Sequence, residues 1–397
     1  MWILLWISQV SLWTLSSATV HLDVVNQWNY LSFDLPYHFT SASEIRLDNT
    51  VFTGLEISDD RIFIATPRLR AGVPATLSTI PRHVPPGSGP TLSAYPSWQL
   101  HGPMRGNVNC SQLISVYRMK MDSCHRLWAL DSGVMDSLDE FTRICQPKLV
   151  VIDTLTDQIV RTVIFPNGVL RPSSLLTNLV VDESVQGTCD SAFIYMTDTA
   201  APGLVVYDGL KDQAWRLSHP TMFPDPDHSD YNINGETFTL MDGVVGITHS
   251  PRLATVYYQP LATDRIYSIP TSSLTKGPPA EFESLPISLV GRKSSQGIAL
   301  TCSPFDNTLY FSPLQETSVA SWNPLSNRQH LLAYDSERLQ FLTDMRWQPD
   351  GSVWCLSTRF QRFFLRTASS NEINLRIIRV PTHFHTLDDI NNDLIYK

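Results

Sequence analysis

Two stretches of this chain say nearly the same thing: residues 255–270, TVYYQPLATDRIYSIP, and residues 308–324, TLYFSPLQETSVASWNP. Each runs Thr, aliphatic, Tyr, aromatic, polar, Pro, Leu, then a polar turn and a second β-rich run. The core of the phrase is a short strand with an aromatic near its start, and it occurs six times. The six are RIFIATP, RLWALDS, FIYMTDT, VYYQP, LYFSP and VWCLST, around Phe63, Trp128, Tyr195, Tyr257, Tyr310 and Trp354, at spacings of 65, 67, 62, 53 and 44 residues. Runs of β-branched and aromatic residues bounded by Asp, Ser, Pro or Gly read as strands. Units of this length hold about four strands, the size of a propeller blade. The spacing therefore predicts an all-β fold, a six-bladed β-propeller.

A second strand candidate precedes each core: VFTGLEIS, LISVYRMK, SLLTNLVVD, DGVVGITHS, QGIALTC and FLTDMRW. These are the expected innermost strands, where six chains converge on a channel and small residues such as Gly54, Gly243, Gly246 and Gly297 fit best. The N-terminal run WNYLSFDLP and the C-terminal run NEINLRIIRV lie outside the six cores. Pairing them in one blade would close the ring and remove its free edges. The Pro- and Gly-rich stretch 68–102 reads as one long loop across a face of the propeller.

Composition agrees with this architecture. The 397 residues are 43% hydrophobic, 10% aromatic and only 17% charged, with 27 Pro and 18 Gly spread along the chain. The net charge is −9 with no block of Lys or Arg, which argues against nucleic acid as a partner. Residues 1–18, MWILLWISQVSLWTLSSA, read as a signal peptide ending in small residues, although no Lys or Arg follows Met1. It is short for a membrane span, so no span is expected once it is removed. Residues 19–397 then form a single propeller domain of a secreted, extracellular protein, with about 380–397 as an extended tail.

In an exported chain, Cys110, Cys124, Cys145 and Cys189 are candidates for two disulfides, with the pairing left open. Cys302 and Cys355 lie inside strand-like runs and read as buried thiols. Asn109-Cys110-Ser111 is a glycosylation sequon. In the tail, His383 and His385 with Asp388 and Asp389 could hold a metal ion, although a solvated tail is the simpler reading. No metal site or cofactor is assigned.

The usual catalytic signatures are absent: no G-x-S-x-G, H-E-x-x-H, Walker A loop or G-x-G-x-x-G. The polar residues of the inner strands carry the ligand-binding candidates instead: Asn178, Asp242, Gln296, Phe341, Thr343 and Asp344. Their oxygens could hold a hard cation. Asp242 or Asp344 with Phe341 could hold an ammonium group. They could equally be met by ordered water or be ordinary strand-end polar groups. The acid–base candidates are Asp242, His249 and Asp344.

Several longer motifs resemble the insect Yellow and major royal jelly protein family: RIFIATPRLRAGVPATLSTIPR, SVYRMKMDSCHRLWALDSG, CQPKLVVIDTLTDQIVRTVIFP, AFIYMTDTAAPGLVVYD, MFPDP, DGVVGITHSP, TVYYQPL and NEINLRI. The resemblance covers residues 28–378. It implies a secreted six-bladed propeller, in agreement with the repeat count. Members of the family serve in cuticle and eggshell pigmentation or hardening, dopachrome conversion, royal jelly nutrition and salivary capture of biogenic amines. The wording of DGVVGITHSP and IYSIPTSSL resembles eggshell-associated members more than royal jelly proteins. Where relatives carry a Cys soon after PDP, this chain has none before Gly235.

Three functions follow as expectations. The first is a part in an extracellular matrix, hardened or pigmented eggshell or cuticle, with matrix proteins as partners and catechol or indole amines in the channel. The others are a dopachrome isomerase or decarboxylase, and a soluble carrier of aromatic amines.

Overall fold

The computed structural model describes residues 22–382 except 38–41, 107, 185–187, 279 and 281–283. The expected leader, 1–18, and the tail histidines and aspartates lie outside the described residues. Six four-stranded antiparallel sheets are arranged as the blades of a propeller. Their inner strands are Gly54–Ile57, Val116–Met121, Leu176–Asp182, Val244–Ser250, Leu300–Cys302 and Phe341–Gln348. Each inner strand touches the next, and the sixth touches the first, so the ring is closed.

The repeated phrase is the second strand of each blade, and its aromatic explains the repetition. Phe63 is buried in an apolar cluster between blades 1 and 2, and Trp128 in one between blades 2 and 3. Tyr195, Tyr257, Tyr310 and Trp354 take the same place between blades 3 and 4, 4 and 5, 5 and 6, and 6 and 1. One large side chain per blade thus wedges against the next blade, each contributing about 2–3 kcal/mol by burial. In two blades a hydrogen bond also ties the wedge to the end of its own inner strand. Trp128 Nε1 donates to Asp122 Oδ2, and Tyr195 Oη to Asp182 Oδ2, both at 2.8 Å.

Blade 6 closes the ring. Its strands are Phe341–Gln348, Ser352–Thr358, Leu375–Pro381 and, outermost, Asp23–Trp28. The C-terminal partner is the expected one. The N-terminal partner lies upstream of the expected run, which it meets only at Trp28. The aromatic-rich WNYLSF drew the assignment, whereas the paired segment is DVVNQW, whose Asp23 binds Arg379 at 2.6 Å.

The stretch 68–102 is not one long loop. It contains Leu77–Pro81 and Ser93–Ala94, the third and fourth strands of blade 1. Between Pro74 and Pro81 the segment Thr-Leu-Ser-Thr-Ile is a β-forming run, and Pro81 falls at the strand end, where its missing N–H costs no central ladder bond. Buried Arg68 ties down the rest by donating to Gly102 O at 2.6 Å.

Two disulfides, Cys110–Cys145 and Cys124–Cys189, brace blades 2 and 3, while Cys302 and Cys355 are buried free thiols. Among the described residues, no helix is long and apolar enough to cross a membrane.

Large charged side chains fill the channel between blades 6, 1 and 2. Arg346 of blade 6 reaches across blade 1 to donate to Met119 O, at 3.0 Å. Arg118 of blade 2 reaches the opposite way to Thr343 O, at 2.6 Å. Asp344 accepts from Arg346 Nη1 at 2.7 Å and from the backbone N–H of Leu55 at 2.9 Å. Glu56 takes Arg346 Nε and Lys120 Nζ, each at 3.3 Å. Burial pushes Glu56 up, but Lys120 and Arg346 outweigh it and hold the carboxyl below its ordinary value. Removing one partner of such a buried set leaves the others uncompensated. Arg346→Met should therefore cost about 3–5 kcal/mol. Arg379→Ala, which breaks the partly exposed pair with Asp23, should cost less than about 1 kcal/mol. Urea unfolding of the two variants checks the contrast.

Candidate functional site

Four inner strands share an irregularity near their starts. The pairing register slips between Val116 and Arg118, Leu176 and Asn178, Val244 and Gly246, and Leu342 and Asp344. A bulge of this kind re-aims a side chain out of the regular alternation. The skipped residues are Tyr117, Thr177, Val245 and Thr343, and all four line one cavity at the mouth of the channel. Those that follow, Arg118, Asn178, Gly246 and Asp344, occupy equivalent places one layer deeper. Glycine is required at 246 because a Cβ there would stand 2.6 Å from the carbonyl oxygen of Ile298 in blade 5.

The cavity holds about 190 Å³ and is mainly apolar. Phe341 and Phe360 form one wall, their ring centroids 4.7 Å apart. Phe360 belongs to a short helix, Phe360–Phe364, which packs on a hairpin of strands Asp230–Ile233 and Glu236–Thr239 inserted between blades 3 and 4. Tyr231 and Phe238 of the hairpin stack at 4.8 Å, and Phe364 lies against Phe238 at 5.4 Å. Arg362 Nε pins the hairpin through Glu236 Oε1 at 2.6 Å. The polar groups at the cavity are few. Tyr117 Oη shares a hydrogen bond of 2.6 Å with Ser137 Oγ, and Thr177 bonds Thr199.

The hairpin runs directly into Asp242, two residues before the inner strand of blade 4. Asp242 lines the cavity, and its carboxylate has no hydrogen bond or ion pair with any described residue. Burial alone pushes its pKa up to about 6. Burial also pushes up the hydroxyls of Tyr117 and Tyr231, and the charge of Asp242 adds to both. A half-buried carboxylate that titrates near neutrality against aromatic walls can accept a proton or hold a cation.

A sequence profile described as major royal jelly protein matches residues 114–388. The chain belongs to the major royal jelly protein family. Relatives of this family chain span nearly all of it. It is 29% identical over 381 residues to dopaminechrome tautomerase of Drosophila melanogaster, covering 90% of this chain and 81% of that one. It is 29% identical over 403 residues to protein yellow of Drosophila erecta, covering 96% and 72%. With major royal jelly protein 9 of Apis mellifera it shares 27% over 91% and 88% of the two chains.

Within this royal jelly protein fold the sequence candidates divide. Asp242, Phe341 and Thr343 meet at the cavity. Asp344 lies beneath it, bound by Arg346, and Asn178 donates to Val245 O at 3.0 Å while accepting from Leu179 N–H. Gln296 supports the hairpin instead, donating to the carbonyls of His228 and Asp230 at 2.8 Å each. Among the described residues, Asn178, Asp242 and Asp344 form no cation cluster. The one group of suitable side chains is Asp122 with Cys124 and Cys189, whose sulfurs are bonded to each other. His249 is the penultimate residue of its strand, roughly 20 Å below Asp242, with Nε2 3.6 Å from Asp182 Oδ2. Burial pushes its pKa down, partly opposed by Asp182.

Tyr117, Thr177, Val245 and Arg118 were not singled out from sequence. The signal was available: each stands at the same step of its inner-strand phrase as Thr343 or Asp344.

The raised pKa of Asp242 has a definite sign. Its folded pKa lies above the unfolded value, so the folded state binds the extra proton and loses stability as pH rises from about 4 to 6. Asp242→Asn should therefore be more stable than the native chain at pH 7.5, by about 2 kcal/mol, and no more stable at pH 3.5. Thermal melts at the two pH values check this.

Proposed function

We propose that this protein binds a small catechol-derived aromatic molecule at the channel mouth and shifts a proton on it, with Asp242 as the base. One observation carries the reading: a carboxylate with no partner among the described residues, titrating near pH 6, faces an aromatic cavity. A base acts best when its pKa lies near the working pH. The relative named dopaminechrome tautomerase supports the reaction class. In such a tautomerisation a C–H bond on a saturated ring carbon breaks, and its electron pair enters the ring. A quinone oxygen gains the proton, so no oxidant is consumed. A cavity of 190 Å³ suits a molecule of one or two fused rings.

The setting we propose is pigmentation or hardening of an extracellular matrix, eggshell or cuticle, reached by secretion. The disulfides Cys110–Cys145 and Cys124–Cys189 support passage through an oxidising compartment. The sequon Asn109 is exposed, as a glycosylated position needs to be.

The test is loss of dopaminechrome absorbance with protein made through a secretory pathway. Asp242→Asn should lower kcat/KM by about 10²–10⁴-fold while the fold is kept. Native activity should fall about tenfold per pH unit below pH 6. Saturable binding without turnover would replace catalysis by carriage of aromatic amines. No binding and no turnover would remove the cavity from the function.

A further inference from the structure

The floor of the cavity is unlike its rim. Arg118 lines it, is 2% exposed, and spends Nη2 on Thr343 O. Its Nε has no hydrogen-bond partner, standing 3.8 Å from Asp344 Oδ1. No described residue accepts a hydrogen bond from Nη1. Asp344 does not make good the deficit, being beyond hydrogen-bond distance of Nε. Its Oδ1 is occupied by Arg346 Nη1 and the N–H of Met345, and its Oδ2 by the N–H of Leu55. The buried charges are two carboxylates, Glu56 and Asp344, and two guanidiniums, Arg118 and Arg346; Lys120, which also reaches Glu56, is partly exposed, and Arg346 takes the close contacts to both carboxylates. Burying a guanidinium with most of its donors unmet is costly unless something else meets them.

We infer that Arg118 is the oxyanion-binding residue of this cavity and takes a phenolate or quinone oxygen of the ligand. The ring then lies along Phe341 and Phe360, and the opposite end of the molecule faces Asp242. This deepens the proposed function and rests on it, adding a ligand class: aromatic molecules with an acidic oxygen at one end. In the proton shift, the electron pair released at the ring carbon arrives as negative charge on the quinone oxygen. Arg118 holds that oxygen as a phenolate. Water supplies its proton as product leaves, Asp242 returns to water the proton it took from carbon, and the guanidinium keeps its own.

The probe is 4-nitrocatechol, whose phenolate absorbs visibly. Bound to the native protein, it should ionise at least one pH unit below the free probe, a tenfold preference for the phenolate. Arg118→Met should abolish the depression and Asp242→Asn should deepen it. Arg118→Lys keeps a cation at the floor and should retain part of the shift, which covers the case in which the Met variant fails to fold. An unshifted ionisation in the native protein, or the same depression in Arg118→Met, overturns the inference and leaves the role of Asp242 standing. Failure of the probe to bind the native protein overturns both.

Discussion

The pairing of Arg118 and Arg346 with Asp344 and Glu56 is the interaction on which the rest of the structure depends. A propeller ring leaves a hole at its axis, and apolar side chains from six short strands do not fill it evenly. Here two arginines cross blade 1 in opposite directions, each capped by a backbone carbonyl of the far blade. Three blades are thereby held at fixed spacing, and the channel is stopped partway down. Without that stop there is no cavity floor, and the bulged residues above it would line an open tube.

The cavity shows the opposite use of charge. Below, both carboxylates are met by cations; above, Asp242 has no donor among the described residues. A fold that pairs the channel carboxylates Glu56 and Asp344 with cations could have paired a third. Leaving it unmet destabilises the folded state near neutral pH, as binding sites commonly do. The hairpin 230–239 and the helix Phe360–Phe364 narrow the cavity, which strengthens whatever electrostatics act inside it.

The blades were legible because their signal is local. A wedge aromatic, its β-branched neighbours and the following turn fall within a few residues, and six recurrences exclude coincidence. Charge pairing across the channel is not local. Arg346 meets Glu56 at a separation of 290 residues, and nothing near either residue announces the other. The expectation of small channel residues also hid the arginines, although Arg118, Asn178 and Asp344 stand at the same step of their phrases. Asp344 drew notice as a channel carboxylate without its partners. Asp242 was grouped with it as an inner-strand residue, yet it lies on the connection from the hairpin. The closing strand was misplaced because DVVNQW is polar and gains its strand character only from its partner.

That closing strand also orders events in time. Asp23 and Arg379 are 356 residues apart in the chain yet bonded in the ring. The strand Asp23–Trp28 must wait, unpaired, for one made some 350 residues later. Holding the ends of so long a loop together costs about 5 kcal/mol of chain entropy. Blades 1 to 5 are each built from a continuous stretch and can collapse as they emerge, but blade 6 cannot form until Leu375–Pro381 has been made. Ring completion is therefore a late event, and the first and last described strands share a single sheet.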